Sequence, residues 1–449
     1  MRSSKPELGC RIPQELSDLI IDHLYDDTDA LRQCSLVCKS WEPSSTLHLF
    51  SSFSWPACNI YWQSVPKDGS EVCTCSRHSG SFSECHDLFS SSSRISQAIR
   101  HFRLTGLRYP DGNMSKKAET EPMPLTLLFS LPQLLSSLHT LQIWNLVRGQ
   151  ALVGALPQIP SPCKLRKLEL ASDVVLFDDK AVFTILSAFH HINTVDLSCS
   201  CEEDLDSSPI QFQVLHHLDT TLVEHLEISW PMGVSHILSR LPEQIDMDKL
   251  RRITVHQHLD ESLEALLRSA RALEALAYMP TDTPPPIPCP VSLRVIEVTC
   301  HVVVDDPKAP VFAESAWSED AALRDLSVLE APDLRELSIV ILLSELGYWG
   351  EGESASEDMF AHAFATYLLD QDWESLRGIL RRRRKLQKLK LGVIVSDGWS
   401  SYRYLVPYLP CCGRVIQEVA SKSLGAEMTS ILEVEAKHQT SDGFIPYYP

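Results

Sequence analysis

"LRKLEL" (Leu165–Leu170) and "INTVDL" (Ile192–Leu197) share one arrangement: an aliphatic residue, two others, an aliphatic, one other, an aliphatic. The last two aliphatics then fall on one side of an extended chain, because strand side chains alternate faces. The arrangement recurs as Leu138-Leu141-Ile143, Val223-Leu226-Ile228, Leu250-Ile253-Val255, Leu273-Leu276-Tyr278, Leu293-Ile296-Val298, Leu334-Leu337-Ile339 and Leu386-Leu389-Leu391, with Ile99-Phe102-Leu104 as an opening copy. From Leu138 the steps are 27, 27, 31, 27, 23, 20, 41 and 52 residues, and the early ones are too regular for chance. Between copies lie stretches with helical spacing such as "DKAVFTILSAFHH" (Asp179–His191) and "DESLEALLRSARA" (Asp260–Ala272). A strand, a helix and a return at this period describe units that bury their apolar faces only against their neighbours.

Composition narrows the function classes. With 449 residues, 44% of them hydrophobic, the chain can hold a sizeable core. Its 40 Lys and Arg against 59 Asp and Glu give a formal charge of -19, which argues against nucleic-acid or anionic-membrane binding, since both need a basic footprint. No stretch approaches the roughly 20 apolar residues of a spanning helix, and Met1–Pro13 lacks the apolar core of a signal peptide. The 14 cysteines sit mostly inside apolar patterns, as at Cys34, Cys38 and Cys300, and read as reduced thiols of a cytoplasmic or nuclear protein.

Near the N-terminus, "ELSDLIIDHLYDDTDALRQCSLVCKSW" (Glu15–Trp41) places Leu16, Ile20 and Leu24 on one helical face. Ile12-Pro13 precedes it, and proline suits a first helical position, which needs no amide hydrogen. Asp26 to Asp29 break the pattern and offer a cap for a second helix carrying Leu31 and Cys34. Leu36, Val37, Cys38 and Trp41 belong to a third segment, closed by Leu47, Phe50 and Phe53. Segments this short cannot bury that apolar surface by themselves, so a partner is expected.

At these residues the chain resembles the F-box family: Ile12-Pro13, Glu15-Leu16, Ile20, Leu24, Leu31, then Val37-Cys38-Lys39-Ser40-Trp41, with Ile12 in place of the commoner Leu. The resemblance covers about a tenth of the chain. It implies docking onto the Skp-type adaptor of a cullin-RING ubiquitin ligase, with Ile12, Pro13, Leu16, Ile20, Leu24, Leu36, Val37 and Trp41 as the adaptor-facing or supporting surface. A Trp-anchored apolar cluster is also the usual make-up of an interface hot spot.

The region behind it resembles the leucine-rich-repeat part found after many F-boxes. The Asn or Cys of that pattern is replaced by Leu146, Asp173, Ser200, Pro231 and His258, so an irregular, flattened arc is expected. The expected fold is α+β: a small three-helix F-box followed by an irregular α/β leucine-rich-repeat-like solenoid. The expected division is a tail over 1–8, the F-box over 9–53, a linker over 54–94, the solenoid over 95–420 and a C-terminal segment over 421–449, weakly patterned, forming a helix and a tail. Loops rich in Pro, Gly and charge interrupt the array at Gly106–Pro124, Thr281–Pro290 and Gly347–Asp358.

Between the last two aliphatics of each copy, one residue points to the opposite sheet face. Glu169, Asp196 and Glu227 hold that position in succession, and the next outward position holds Trp144 and His256 in their copies. This predicts a negative stripe beside an exposed aromatic, suited to a basic segment of a protein substrate. "RRRRK" (Arg381–Lys385) is either a localisation or phosphate-binding patch, or a basic helix C-terminus opposite the helix dipole.

Catalytic patterns are absent: no phosphate-binding loop, nucleophile elbow, HExxH or dinucleotide glycine motif occurs. Cys73, Cys75, His78, Cys85 and His86 have zinc-binding chemistry, but one Cys-x-Cys pair is tighter than the usual ligand spacing, so neither metal nor cofactor is expected. His190-His191 and His216-His217 read as structural residues of helical stretches. The expectation is a non-catalytic substrate-recognition subunit of an SCF-type ubiquitin ligase. The alternatives are a scaffold that binds the adaptor without directing ubiquitination, and a metal-dependent enzyme built on Cys73 to His86.

Overall fold

The ten aliphatic triads end on strands, and all their residues are buried except Leu386, which is half-buried. The computed structural model describes residues 13–25, 27–55, 81–105, 107–108, 119–120, 125–144, 164–172, 179–199, 220–228, 235–258, 261–280, 290–304, 310–313, 321–328, 331–345, 355–396 and 405–439. The chain divides into two compact units, Met1–Glu169 and Leu170–Pro449.

The first unit opens with helices α1 (Gln14–Asp22), α2 (Thr28–Val37) and α3 (Glu42–Leu49), followed at once by strand β1 (Ser52–Trp55). Helices α4 (Phe82–Ser91) and α5 (Ser93–Ala98) lead to β2 (His101–Thr105). A separate antiparallel pair, β3 (Leu107–Arg108) with β4 (Glu119–Thr120), precedes α6 (Leu125–Leu134) and β5 (Thr140–Trp144); β6 (Lys164–Ser172) begins in this unit. Strand β2 pairs in parallel with β1 on one side and β5 on the other. Phe53 of β1 packs against Phe89 and Phe102, ring centroids 5.7 and 6.1 Å away, so the strand directly after α3 enters the same core as β2.

The second unit alternates α7 (Asp179–Ser187), β7 (His191–Cys199), β8 (Leu222–Ile228), α8 (Ser235–Arg240), β9 (Arg252–His258), α9 (Glu261–Ser269), β10 (Ala275–Met279) and β11 (Val295–Val304). After β12 (Phe312–Ala313) come α10 (Ala321–Val328), β13 (Glu336–Glu345), α11 (Glu357–Leu369), α12 (Trp373–Arg382), β14 (Lys388–Ser396), α13 (Leu409–Leu424), α14 (Ala426–Thr429) and β15 (Leu432–Gln439). Here β7 through β11, β13, β14 and β15 pair in parallel in chain order, and only the short β12 runs antiparallel, against β11. Phe312 joins Phe360, Phe364 and Tyr367 of α11 in an aromatic cluster.

These pairings correct the expected fold class. Within each unit the main strands follow chain order in a parallel sheet, with helices in most of the connections: an α/β fold, not an α+β arrangement of a small helical F-box followed by an irregular solenoid. The physical reason is main-chain pairing. Parallel neighbours need a crossover, usually helical, and the described helices supply most of them; β1, directly after α3, extends the ladder beyond β2. The C-terminal segment also differs from the expected helix and tail, because "LEVEAKHQ" alternates with period 2 and pairs with β14 as a strand. His191 starts β7 instead of lying in a helix, and its imidazole contacts Glu224 at 3.1 Å. Among the described residues no helix is long and apolar enough to cross a membrane.

Candidate docking face

Helix α1 is anchored through polar residues that stay exposed or half-buried. Gln14, Asp18 and Asp22 recur at intervals of four and so share one side of the helix. They meet Ser40, Ser44 and His48, which lie 26 residues later in each case. Gln14 Nε2 donates to the Ser40 carbonyl at 3.0 Å, Ser44 Oγ donates to Asp18, and His48 Nε2 lies 2.7 Å from Asp22 Oδ1. Gln14 also donates to Asp18 at 2.7 Å. Only Ser17 and Ile21 of α1 are fully buried.

That ladder turns the remaining apolar residues outward. Leu16 is 50% exposed, Leu19 54% and Ile20 45%. Pro13 is exposed in extended geometry before the helix, and its carbonyl accepts from the Leu16 and Ser17 amides. Helix α2 is capped by Asp27, whose carboxylate accepts from the Ala30 amide at 2.9 Å. It buries Leu31 and Cys34 and ends with Leu36 and Val37, 80% and 62% exposed. A leucine exposed to that degree is ordinary singly; six exposed large or cyclic apolar residues on two helices that both pack against α3 are more than single exposures, and exposed apolar clusters mark interaction surfaces.

Leu24 and Trp41 are half-buried, so they brace the face more than they present it. The Trp41 carbonyl accepts from Ser45 Oγ at 2.9 Å at the start of α3. Ile12 lies outside the described residues. Leu19, missed by the spacing of Leu16, Ile20 and Leu24, is as exposed as Leu16; its signal is the i,i+3 relation to Leu16. Cys38 carries an exposed thiol held below its ordinary pKa first by its contact with the Ser40 hydroxyl, 3.1 Å away, and then by the Trp41 backbone.

Residues of the predicted substrate stripe belong to both units. In the first unit, Trp144 lies under the guanidinium of Arg103, 4.4 Å from the ring centre. Arg103 Nε donates to Gln142 Oε1 at 2.8 Å, Gln142 Nε2 donates to Glu169 Oε2 at 2.9 Å, and Lys167 stands 3.5 Å from the same carboxylate. In the second unit, Asp196 and Glu227 are direct neighbours on β7 and β8. Ser198 Oγ donates to Asp196 at 2.7 Å, and His256 Nε2 lies 3.0 Å from Glu227 Oε1. Glu169 and Asp196 are nearly buried, so each acid is already engaged by a neighbour within its own unit.

The basic run is divided in use. Arg383 donates to the Leu326 carbonyl at 3.0 Å and Lys385 pairs with Asp333, while Arg381, Arg382 and Arg384 are exposed. Of the cysteine and histidine cluster, Cys73, Cys75 and His78 lie outside the described residues. Cys85 is buried in α4, which pushes its thiol pKa up, and the described residues hold no group of three or more His, Cys, Asp or Glu side chains placed for a metal.

No protein-family model matches this chain, and no curated protein matches it either.

Proposed function

We propose that this chain is a substrate-recognition subunit of an SCF-type cullin-RING ubiquitin ligase, acting in the cytoplasm or nucleus. Its N-terminal helices bind a Skp-type adaptor, and its parallel-sheet region holds a target protein near the ligase core. The observation that carries the reading is the anchoring of α1: Gln14 bonds to the Ser40 carbonyl and Asp18 and Asp22 to α3, while Leu16, Leu19 and Ile20 of α1 and Leu36 and Val37 of α2 stay exposed. Those residues need apolar cover that α1–α3 do not supply, and Pro13, Leu16, Ile20, Leu36 and Val37, all exposed, are assigned to the adaptor by the F-box resemblance. The ubiquitin-transfer chemistry belongs to other subunits; this chain contributes proximity and orientation.

The test is affinity capture of the wild type beside a Leu16→Ser/Ile20→Ser/Leu36→Ser variant, with ubiquitination of co-purifying proteins measured after adding adaptor and ligase core. Loss of adaptor from the variant, with other partners retained and their adaptor-dependent ubiquitination abolished, supports the reading. Equal adaptor capture by both forms removes it, and adaptor binding without any ubiquitinated partner leaves a scaffold in its place.

A further inference from the structure

In a chain of net charge -19, the first unit carries a row of basic side chains, two arginines around a histidine, at the N-terminal ends of three adjacent strands. Arg100 precedes β2, His139 precedes β5, and Arg166 lies near the start of β6. All three follow the first aliphatic of their triads, and the backbone aligns them: the His139 amide donates to the Arg100 carbonyl at 2.7 Å, and the Arg166 amide to the His139 carbonyl at 2.9 Å. His101 and Lys164 flank the row. Arg100, His101, Lys164 and Arg166 are exposed, and none of the five makes an ion pair with a carboxylate among the described residues. By contrast, the neighbouring Lys167 pairs with Glu169, and Arg103 is bonded to Gln142.

The electrostatics agree with that geometry. Burial first, then the charges of Arg166, Arg100 and His101, lower the His139 pKa; burial and Arg100 lower that of His101. The charges that face His139 from β2 and β6 are thus all positive. Cations left adjacent without an anion cost stability, and an anionic ligand relieves that cost.

We propose that this edge of the first unit binds an acidic polypeptide segment, with Arg100, His139 and Arg166 as its contact row. Neighbouring strands lie about 4.8 Å apart, so Arg100 and Arg166 are about 10 Å apart at the backbone, the rise of roughly three extended residues. Carboxylates at i and i+3 of a polyproline-II segment, which turns once in three residues, share one side about 9 Å apart and match that span, and guanidinium groups hold carboxylates in bidentate geometry. A nucleic acid is the poorer fit, because it needs a wide basic footprint and would meet the acidic remainder of the chain. The inference stands apart from adaptor docking, which uses other residues.

The experiment is fluorescence anisotropy on the full chain with a short labelled peptide carrying glutamates at i and i+3. Parallel arms use the same peptide with lysines, with phosphoserines, and a single-stranded DNA of similar length. The glutamate peptide should bind, about tenfold more weakly to Arg100→Gln/Arg166→Gln, and more tightly as pH falls through the histidine range, because bound carboxylates favour the imidazolium form. His139→Arg, which adds charge at the centre of the row, should tighten binding several-fold at pH 7.5 and flatten the pH dependence. Undiminished binding by Arg100→Gln/Arg166→Gln, no gain with His139→Arg, or equal binding of the lysine peptide would overturn the site. Tighter binding of DNA, or more than tenfold tighter binding of the phosphoserine peptide, would overturn its assignment to carboxylates.

Discussion

Asp325 of α10 is an ionisable group placed where the fold penalises its charge. It is 2% exposed, and its Oδ2 has no hydrogen-bond partner among the described residues. Burial pushes its pKa from 3.8 to about 6, against the smaller opposing effects of Arg324 and the Tyr278 hydroxyl. The folded state therefore holds this proton more tightly than the unfolded chain, so stability falls as pH rises from about 4 to about 6 and stays low above it. At 1.36 kcal/mol per pH unit, the rise is worth about 3 kcal/mol at pH 8, of which about half is already present at pH 5. Asp325→Asn removes the ionisation but adds a fixed cost for the buried amide. The informative quantity is therefore the change with pH in the stability difference between the two proteins. Urea unfolding of wild type and variant from pH 5 to pH 8 should show the variant gaining about 1.4 kcal/mol relative to wild type across that interval. A difference constant to within about 0.5 kcal/mol over the same range would mean that Asp325 is either solvated or paired in solution, and the reasoning would fail.

Other expectations follow from burial and backbone geometry. Leu36→Ser, at a side chain 80% exposed, should leave thermal unfolding within about 2 °C of wild type yet weaken adaptor binding by roughly thirtyfold, about 2 kcal/mol, measured by calorimetry. Ile21→Ala, on the opposite side of α1 and fully buried, should instead cost about 2–4 kcal/mol in the stability of α1–α3, read from amide hydrogen exchange in those helices. Gly425 joins α13 to α14 at φ +84°, so Gly425→Ala should destabilise by about 1 kcal/mol in urea titrations, although nothing crowds an added Cβ. Phe53→Ala, at a half-buried side chain, should loosen β1 from Phe89 and Phe102 and lower the unfolding midpoint, with a cost of about 1–3 kcal/mol, below that of a fully buried ring.

Spacing alone located ten of the strands. A triad such as Leu165-Leu168-Leu170 states which residues must leave water, and that demand is local, so each copy was legible without knowing its neighbours. The same is true of Leu31 and Cys34 in α2, and of the apolar residues Leu16 and Ile20, whose interval of four marks a shared helical face. What the intervals do not encode is the surface that each face meets. The tertiary structure decided that β1 pairs with β2, which makes the protein an α/β sheet, and that "LEVEAKHQ" adds a strand beside β14. It also decided that Gln14, Asp18 and Asp22 turn towards Ser40, Ser44 and His48, leaving leucines outside, and that Glu169 and Asp196 are engaged by neighbours. These outcomes depend on which groups from distant parts of the chain come to lie opposite each other. Pairing, desolvation and charge are properties of such juxtapositions, whereas hydrophobic period is a property of the residues themselves.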